Sequence, residues 1–186
     1  MGWKTTTPPA AEPITLAEAK LHLRVDHDDE DTFITSLITA AREYCEGFQN
    51  RAFITQTITL TLDEFPCEFV VPQPPLKSVT SIKYIDVNGV QQTLAASVYK
   101  VDTQSEPGRI VPAYNQSWPG IRGDINSVEV IYEAGYGAAA AVPERIKAAI
   151  KLLVGHYYVN RQETTAIKTE NIPMGIESLL NLDRIF

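Results

Sequence analysis

The sequence predicts an α+β fold: a helical bundle with an antiparallel β insertion between the second and third main helices, and a C-terminal tail helix. Three observations predict it. Apolar residues repeat at helical spacing before residue 51 and again after Pro143. Between these stretches short β-rich runs alternate with prolines. At the C-terminus a polar stretch separates one last amphipathic segment from the rest. The expected organisation is a flexible arm over 1–13 and a single domain over 14–161. That domain has helices at 15–24, 28–50 and 143–160 and the β insertion at 53–135. A tether and terminal segment fill 162–186.

Each element has a local reason. Thr15 and Glu18 form a capping box, in which each side chain satisfies a backbone N–H left free at a helix start. Asp28 or Asp29 is expected to cap the second helix, with Glu30 and Asp31 placing negative charge at the positive end of the helix dipole. Ile34, Leu37, Ile38, Ala41, Cys45 and Phe48 give that helix one apolar face. From Thr55 to Leu62 threonine alternates with isoleucine or leucine, and further short runs follow at 69–71, 79–86, 98–102, 109–111 and 128–132. Asn88-Gly89 marks a hairpin turn. Pro143 suits the first turn of the next helix, whose inner stripe is Ile146, Ala149, Ile150, Leu153 and Tyr157. Leu152 and Val154 widen that stripe and suggest burial on more than one side.

A chain of 186 residues is long enough for one domain with a real core, or for one domain carrying an insertion. A formal charge of −7 argues against a surface built to grip phosphates, because that affinity rests on clustered lysine and arginine. Two cysteines, Cys45 and Cys67, make no disulfide framework, and both are expected as thiols. The N-terminal stretch lacks the apolar run of a leader, and no apolar stretch is long enough to cross a bilayer, so a soluble, non-secreted chain is expected.

Candidate chemistry is scarce. The stretch HLRVDHDDED at 22–31 gathers two histidines and five acids. Metal ligands must aim at one point, and these fall at a helix break without the spacing of a zinc or calcium loop. Capping and solvation explain the acids more simply. Gly135-Tyr136-Gly137-Ala138-Ala139-Ala140 fits a dinucleotide-binding pattern after a strand, but the following helix starts near Pro143, and no acid stands about twenty residues on. A glycine-rich exit from a strand is the simpler reading. His156 has neither an acid nor a nucleophile in register and reads as a packing histidine. No catalytic residue, cofactor-binding residue, cofactor or metal ligand is therefore assigned.

Several segments, taken in order, resemble the head-tail connector (adaptor, or head-completion) proteins of long-tailed bacteriophages. Ile14 to Lys20 with His22-Leu23-Arg24 and the acidic joint resembles that family's opening. Ala41-Arg42-Glu43, Cys45-Glu46 and Arg51-Ala52 resemble its second helix. Phe65-Pro66, Pro74-Pro75-Leu76, Val79, Ile82, Trp118-Pro119, Tyr132 and Ala134 to Gly137 follow in the same order. Then come Pro143 to Tyr157, Asn160-Arg161, Leu179-Leu180 and Arg184. The resemblance implies a non-enzymatic structural protein of the virion neck, made in the host cytoplasm, with a helical ring-forming body. Identical subunits would form a ring, expected to be dodecameric to match the portal. The ring would dock beneath the portal after DNA packaging and receive the stopper or tail. Double-stranded DNA would pass through the lumen without specific binding, and no membrane is involved. The portal-binding residues would be Ile176, Leu179, Leu180, Leu182, Arg184, Ile185 and Phe186 in a tail that is mobile in the free subunit. Two other readings stay open: a small enzyme using the acidic cluster or His156, and a monomeric binding module using the β unit.

Overall fold

The computed structural model describes residues 1–161 and 174–185, and the tether expected at 162–173 lies outside the described residues. The chain divides into two compact units. The first combines Met1–Ala10 with Thr55–Tyr136, and the second combines Ala11–Ile54 with the chain from Gly137 onward. The expected helical bundle with a β insertion is therefore corrected. Among the described residues the protein is α+β with four helices and two antiparallel sheets, and its strand-bearing part includes a strand that precedes the first helix as well as those between the second and third.

The first unit holds all eight strands. They are β1 (Gly2–Thr7), β2 (Gln56–Leu62), β3 (Phe69–Val70), β4 (Leu76–Ile85), β5 (Gln91–Thr93), β6 (Tyr99–Asp102), β7 (Arg109–Pro112) and β8 (Val128–Ala134). One sheet runs β1-β2-β8-β4-β5 and the other β3-β7-β6. Strand β8 alternates as its sequence implies, burying Val128, Val130, Tyr132 and Ala134. With Ile58, Leu60, Phe69, Ile82 and Ile110 these residues make a core belonging to the unit itself, which is why it is more than an appendage. Phe65 stacks on Trp118 at 5.1 Å, Phe69 meets both edge-on, and the indole N–H donates to Pro66 O at 2.7 Å. The Asn88-Gly89 turn forms as expected. The Asp86 carboxylate accepts from the N–H groups of Asn88 and Val90, and Gly89 adopts a φ of 81° that favours glycine.

Residues 1–13, expected as a flexible arm, contain β1, which pairs antiparallel with β2 from Gly2↔Thr61 to Thr7↔Thr57. The reason lies in β2. Its Ile58, Thr59 and Leu60 are all buried, and a strand so enclosed needs partners for its backbone on both edges. Threonine and tryptophan suit that position. Thr6 and Thr59 share a hydroxyl hydrogen bond of 2.5 Å, and Thr61 donates to Gly2 O.

The second unit holds α1 (Leu16–Leu23), α2 (Asp31–Gln49), α3 (Glu144–Val159) and α4 (Met174–Asn181). The Thr15–Glu18 capping box is present with both arms, and Arg24 closes α1 at a φ of 59°. The α2 core face carries Ile34, Ile38, Ala41 and Cys45, and burial pushes the Cys45 thiol up to about 12. The α3 stripe carries Ile146, Ala149, Ile150, Leu153 and Val154, whereas Leu152, expected inside, is 44% exposed. Gly135 and Gly137, at φ values of 122° and 136°, make the exit from β8, the simpler of the two readings of that motif.

An ionic hub on α2 ties it to the segments before α1 and after α2. Arg42 donates from Nε to Glu12 at 2.8 Å and from Nη1 to Glu46 at 2.6 Å. The other oxygen of Glu46 accepts from Phe53 N at 2.8 Å, and Glu12 also accepts from the Thr39 hydroxyl. Burial pushes the Glu46 carboxyl above the ordinary carboxylate range, against the Phe53 N–H and Arg42, which pull it down. Arg42→Ala leaves Glu46 buried without this partner and should cost about 3 kcal/mol or more by urea denaturation. The carboxyl of Glu46 titrates higher in the folded than in the unfolded chain, so it stabilises fully below its ordinary 4.5 and loses that contribution as pH rises through the folded value. The deficit of Arg42→Ala should therefore shrink as pH is lowered towards 4.5, and a deficit independent of pH would contradict the buried-charge explanation.

Candidate functional site

Residues 174–185 are the described part of the tail that the sequence singled out as a candidate site. In α4, Ile176 and Leu180 stand one turn apart and are both fully buried, while Leu179 is half-buried. The helix packs against α3 and α2. Leu182 is 74% exposed, and Arg184 and Ile185 are half-buried at the surface. Phe186 lies outside the described residues. The tail expected to be mobile in the free subunit is thus docked over its described length.

Polar contacts fix it. Three consecutive side chains at the end of α2 each donate to a carbonyl of the tail: Gln49 Nε2 to Leu180 O at 2.6 Å, Asn50 Nδ2 to Ile185 O at 2.9 Å, and Arg51 Nε to Asp183 O at 2.5 Å. Ile185 N returns a bond to Gln49 O at 3.1 Å. Arg145 of α3 holds the Asp183 carboxylate through Nε at 2.7 Å and through Nη2. The Arg184 guanidinium lies 4.6 Å over the Phe48 ring. Sequence reasoning missed Gln49, Asn50, Arg51 and Arg145. Backbone carbonyls are their main targets, and a carbonyl leaves no trace in sequence.

The acidic joint assembles differently from expectation. Neither Asp28 nor Asp29 caps α2; Glu30 occupies the cap position, with no side-chain cap among the described residues. Lys20 of α1 instead donates to Asp28 at 2.6 Å and to Asp31 at 2.7 Å, and its hydrogen bonds hold the Asp28 carboxyl below the ordinary range. Glu30 accepts from Tyr158 and from Arg161, and the latter stacks 4.7 Å over Phe33 and 4.8 Å over Tyr158. Those two hydrogen bonds lower the Glu30 carboxyl. These acids are fastening points between helices. His156 Nδ1 lies 3.4 Å from Asn160 Nδ2. Among the described residues no group of three or more His, Cys, Asp or Glu is placed to hold a metal ion, and no helix is long and apolar enough to cross a membrane. A hollow of about 140 Å³ in the β unit, lined by Thr61, Lys83, Tyr84 and Asn126 among others, is far smaller than ordinary ligand sites of roughly 300 Å³ and above.

The family model for head completion proteins matches residues 12–186. The chain belongs to that family. As a head completion protein it is a structural component of the head-tail connector. Solved structures with the same fold come from the neck or the virion of GTA particles. A chain from the neck of an empty GTA particle, computed with C6 symmetry, superimposes with a TM-score of 0.83 at 24% identity. Two further chains are each 26% identical. One, from the virion of a native gene transfer agent (GTA) particle, has a TM-score of 0.82, and the other, from the neck of a native particle computed with C12 symmetry, has 0.80. All three matches cover 100% of this chain and 96% of the other. No curated protein sequence matches.

Burial of Ile176 and Leu180 makes the tail part of the fold. Leu180→Ala should cost about 2–4 kcal/mol in chemical denaturation, and deletion of residues 174–186 should lower the melting temperature. An unchanged melting temperature in both variants would show the tail to be undocked in solution.

Proposed function

We propose that this head completion protein acts in the virion neck as a ring of identical subunits that docks beneath the portal after DNA packaging and presents its other face to the stopper or tail. The observation that carries the reading is the family match over nearly the whole chain. The two neighbours at 26% identity, one from a virion and one from a neck computed with C12 symmetry, support the location and the ring. Twelve copies would match the C12 symmetry of the neck at 26% identity, so we take the ring as dodecameric. A net charge of −7 suits a channel that DNA must traverse without sticking. The role is non-enzymatic.

The tail remains our candidate for the portal contact, in two steps. Leu182, with Arg184 and Ile185 beside it, is reachable in the free subunit. Ile176 and Leu180 are covered and would meet the portal only after α4 leaves its seat, with the new contacts offsetting those lost.

The test mixes purified protein with tailless, DNA-filled heads and images the necks by electron cryomicroscopy. A closed twelvefold ring against the portal is expected; scattered single copies or bare portals would refute the assembly. Leu182→Asp should leave the melting temperature unchanged and weaken attachment by roughly tenfold. Unaltered attachment would remove the tail from the portal contact.

A further inference from the structure

Two outward helix faces in the second unit have complementary relief. On α3 the residues opposite the core are Arg145, Ala148, Leu152, His156 and Val159, with Leu152 44% and Val159 77% exposed. They fall within one narrow arc, at the spacing of a helix-packing ridge. On α2 the outward residues are Thr32, Ser36, Ala40, Glu43 and Gly47, all exposed and mostly small. Gly47 is the telling one. It sits inside a 19-residue helix, where glycine is a poor helix former, and a Cβ there would meet nothing within 4 Å among the described residues. The subunit gains nothing from this glycine that its own structure reveals; a close neighbour would.

The α2 face begins beside Asp29, whose side chain is 94% exposed, and the α3 ridge runs towards Arg161, which is 49% exposed and pairs with Glu30 of its own subunit. Laid antiparallel, the two faces bring Leu152 onto Ala40 and Val159 onto Thr32. A closed ring needs two different surfaces on every subunit, each complementary to the other.

We propose that a second copy of this chain covers these faces: the α3 ridge of one subunit seats antiparallel on the small-residue face of α2 in the next, and repetition of this contact closes the ring. The inference rests on the ring reading above and names the surface that makes it.

Gly47→Ala separates the subunit from the assembly. The wild type, Gly47→Ala, Gly47→Leu and Leu152→Glu are compared as full-length chains by thermal melting, and by native mass spectrometry and imaging of rings on DNA-filled heads. Gly47→Ala should melt at or above the wild-type temperature yet need roughly tenfold more protein to form rings. Gly47→Leu and Leu152→Glu should fold and give no closed rings. Wild-type rings with undiminished rings in all three variants would overturn this contact and leave the ring reading standing. Rings that form normally in the variants but lose the stopper or tail would assign the faces to that partner and equally overturn the proposal. No ring from the wild type would overturn the assembly reading, and the contact with it.

Discussion

The second unit is organised around one guanidinium. Arg42 reaches back to Glu12 in the segment before α1 and along its own helix to Glu46, which in turn holds the N–H of Phe53 beyond the helix end. Three pieces of chain distant in sequence are thereby set at fixed spacing. Desolvating two charges is expensive, and their attraction offsets it only where the remaining donors and acceptors are also satisfied. Here they are: Glu46 uses both oxygens, and Glu12 uses its second on Thr39. Burial opposes the charge on Arg42, yet the carboxylates of Glu46 and Glu12 outweigh it and hold the guanidinium above its ordinary range. An apolar replacement of similar volume could match the stability without matching the direction. What the ion pair adds is the placement of the chain from Gln49 to Phe53.

That placement is what the tail depends on. Asn50 ends α2 in the left-handed region at a φ of 53°, and Gln49, Asn50 and Arg51 then fan onto three carbonyls of the C-terminal segment. Reading carbonyls fixes the path of the segment, while Ile176 and Leu180 supply most of the apolar burial. The two contributions differ in character. Apolar side chains can exchange one groove for another at small net cost, whereas backbone acceptors must find new donors or water.

The legible parts of the fold are those whose causes are local. The Thr15–Glu18 box, the hairpin at Asn88-Gly89 and the inner faces of α2 and α3 were readable because each is enforced within a few residues. The division of the chain was not. Strand β1 shows no alternation, since its six residues are all exposed, and its reason for existing is the open edge of β2 more than fifty residues away. Once β1 is hidden, the strands after Thr55 read as an insertion. Lys20 could not be foreseen either, because a helix start with several acids has many ways to be satisfied, and the lysine enters from α1. At the tail the sequence marked the right residues as amphipathic. It could not distinguish a face meant for a partner from one already covered, because both obey the same period.

Leu152 sharpens that ambiguity. Helical spacing allowed it as a second buried stripe, and the subunit leaves it in water. Single exposed leucines are ordinary on protein surfaces. A subunit that must stay soluble until its site is ready cannot carry a large greasy interface. Small residues such as Ser36, Ala40 and Gly47 answer that constraint, because they present little apolar area to water yet allow two helix backbones to approach closely. In the ring proposed above each such contact would be weak, and closure would make many of them at once. Assembly becomes favourable where copies are concentrated and aligned, and stays unfavourable for a free chain in dilute solution.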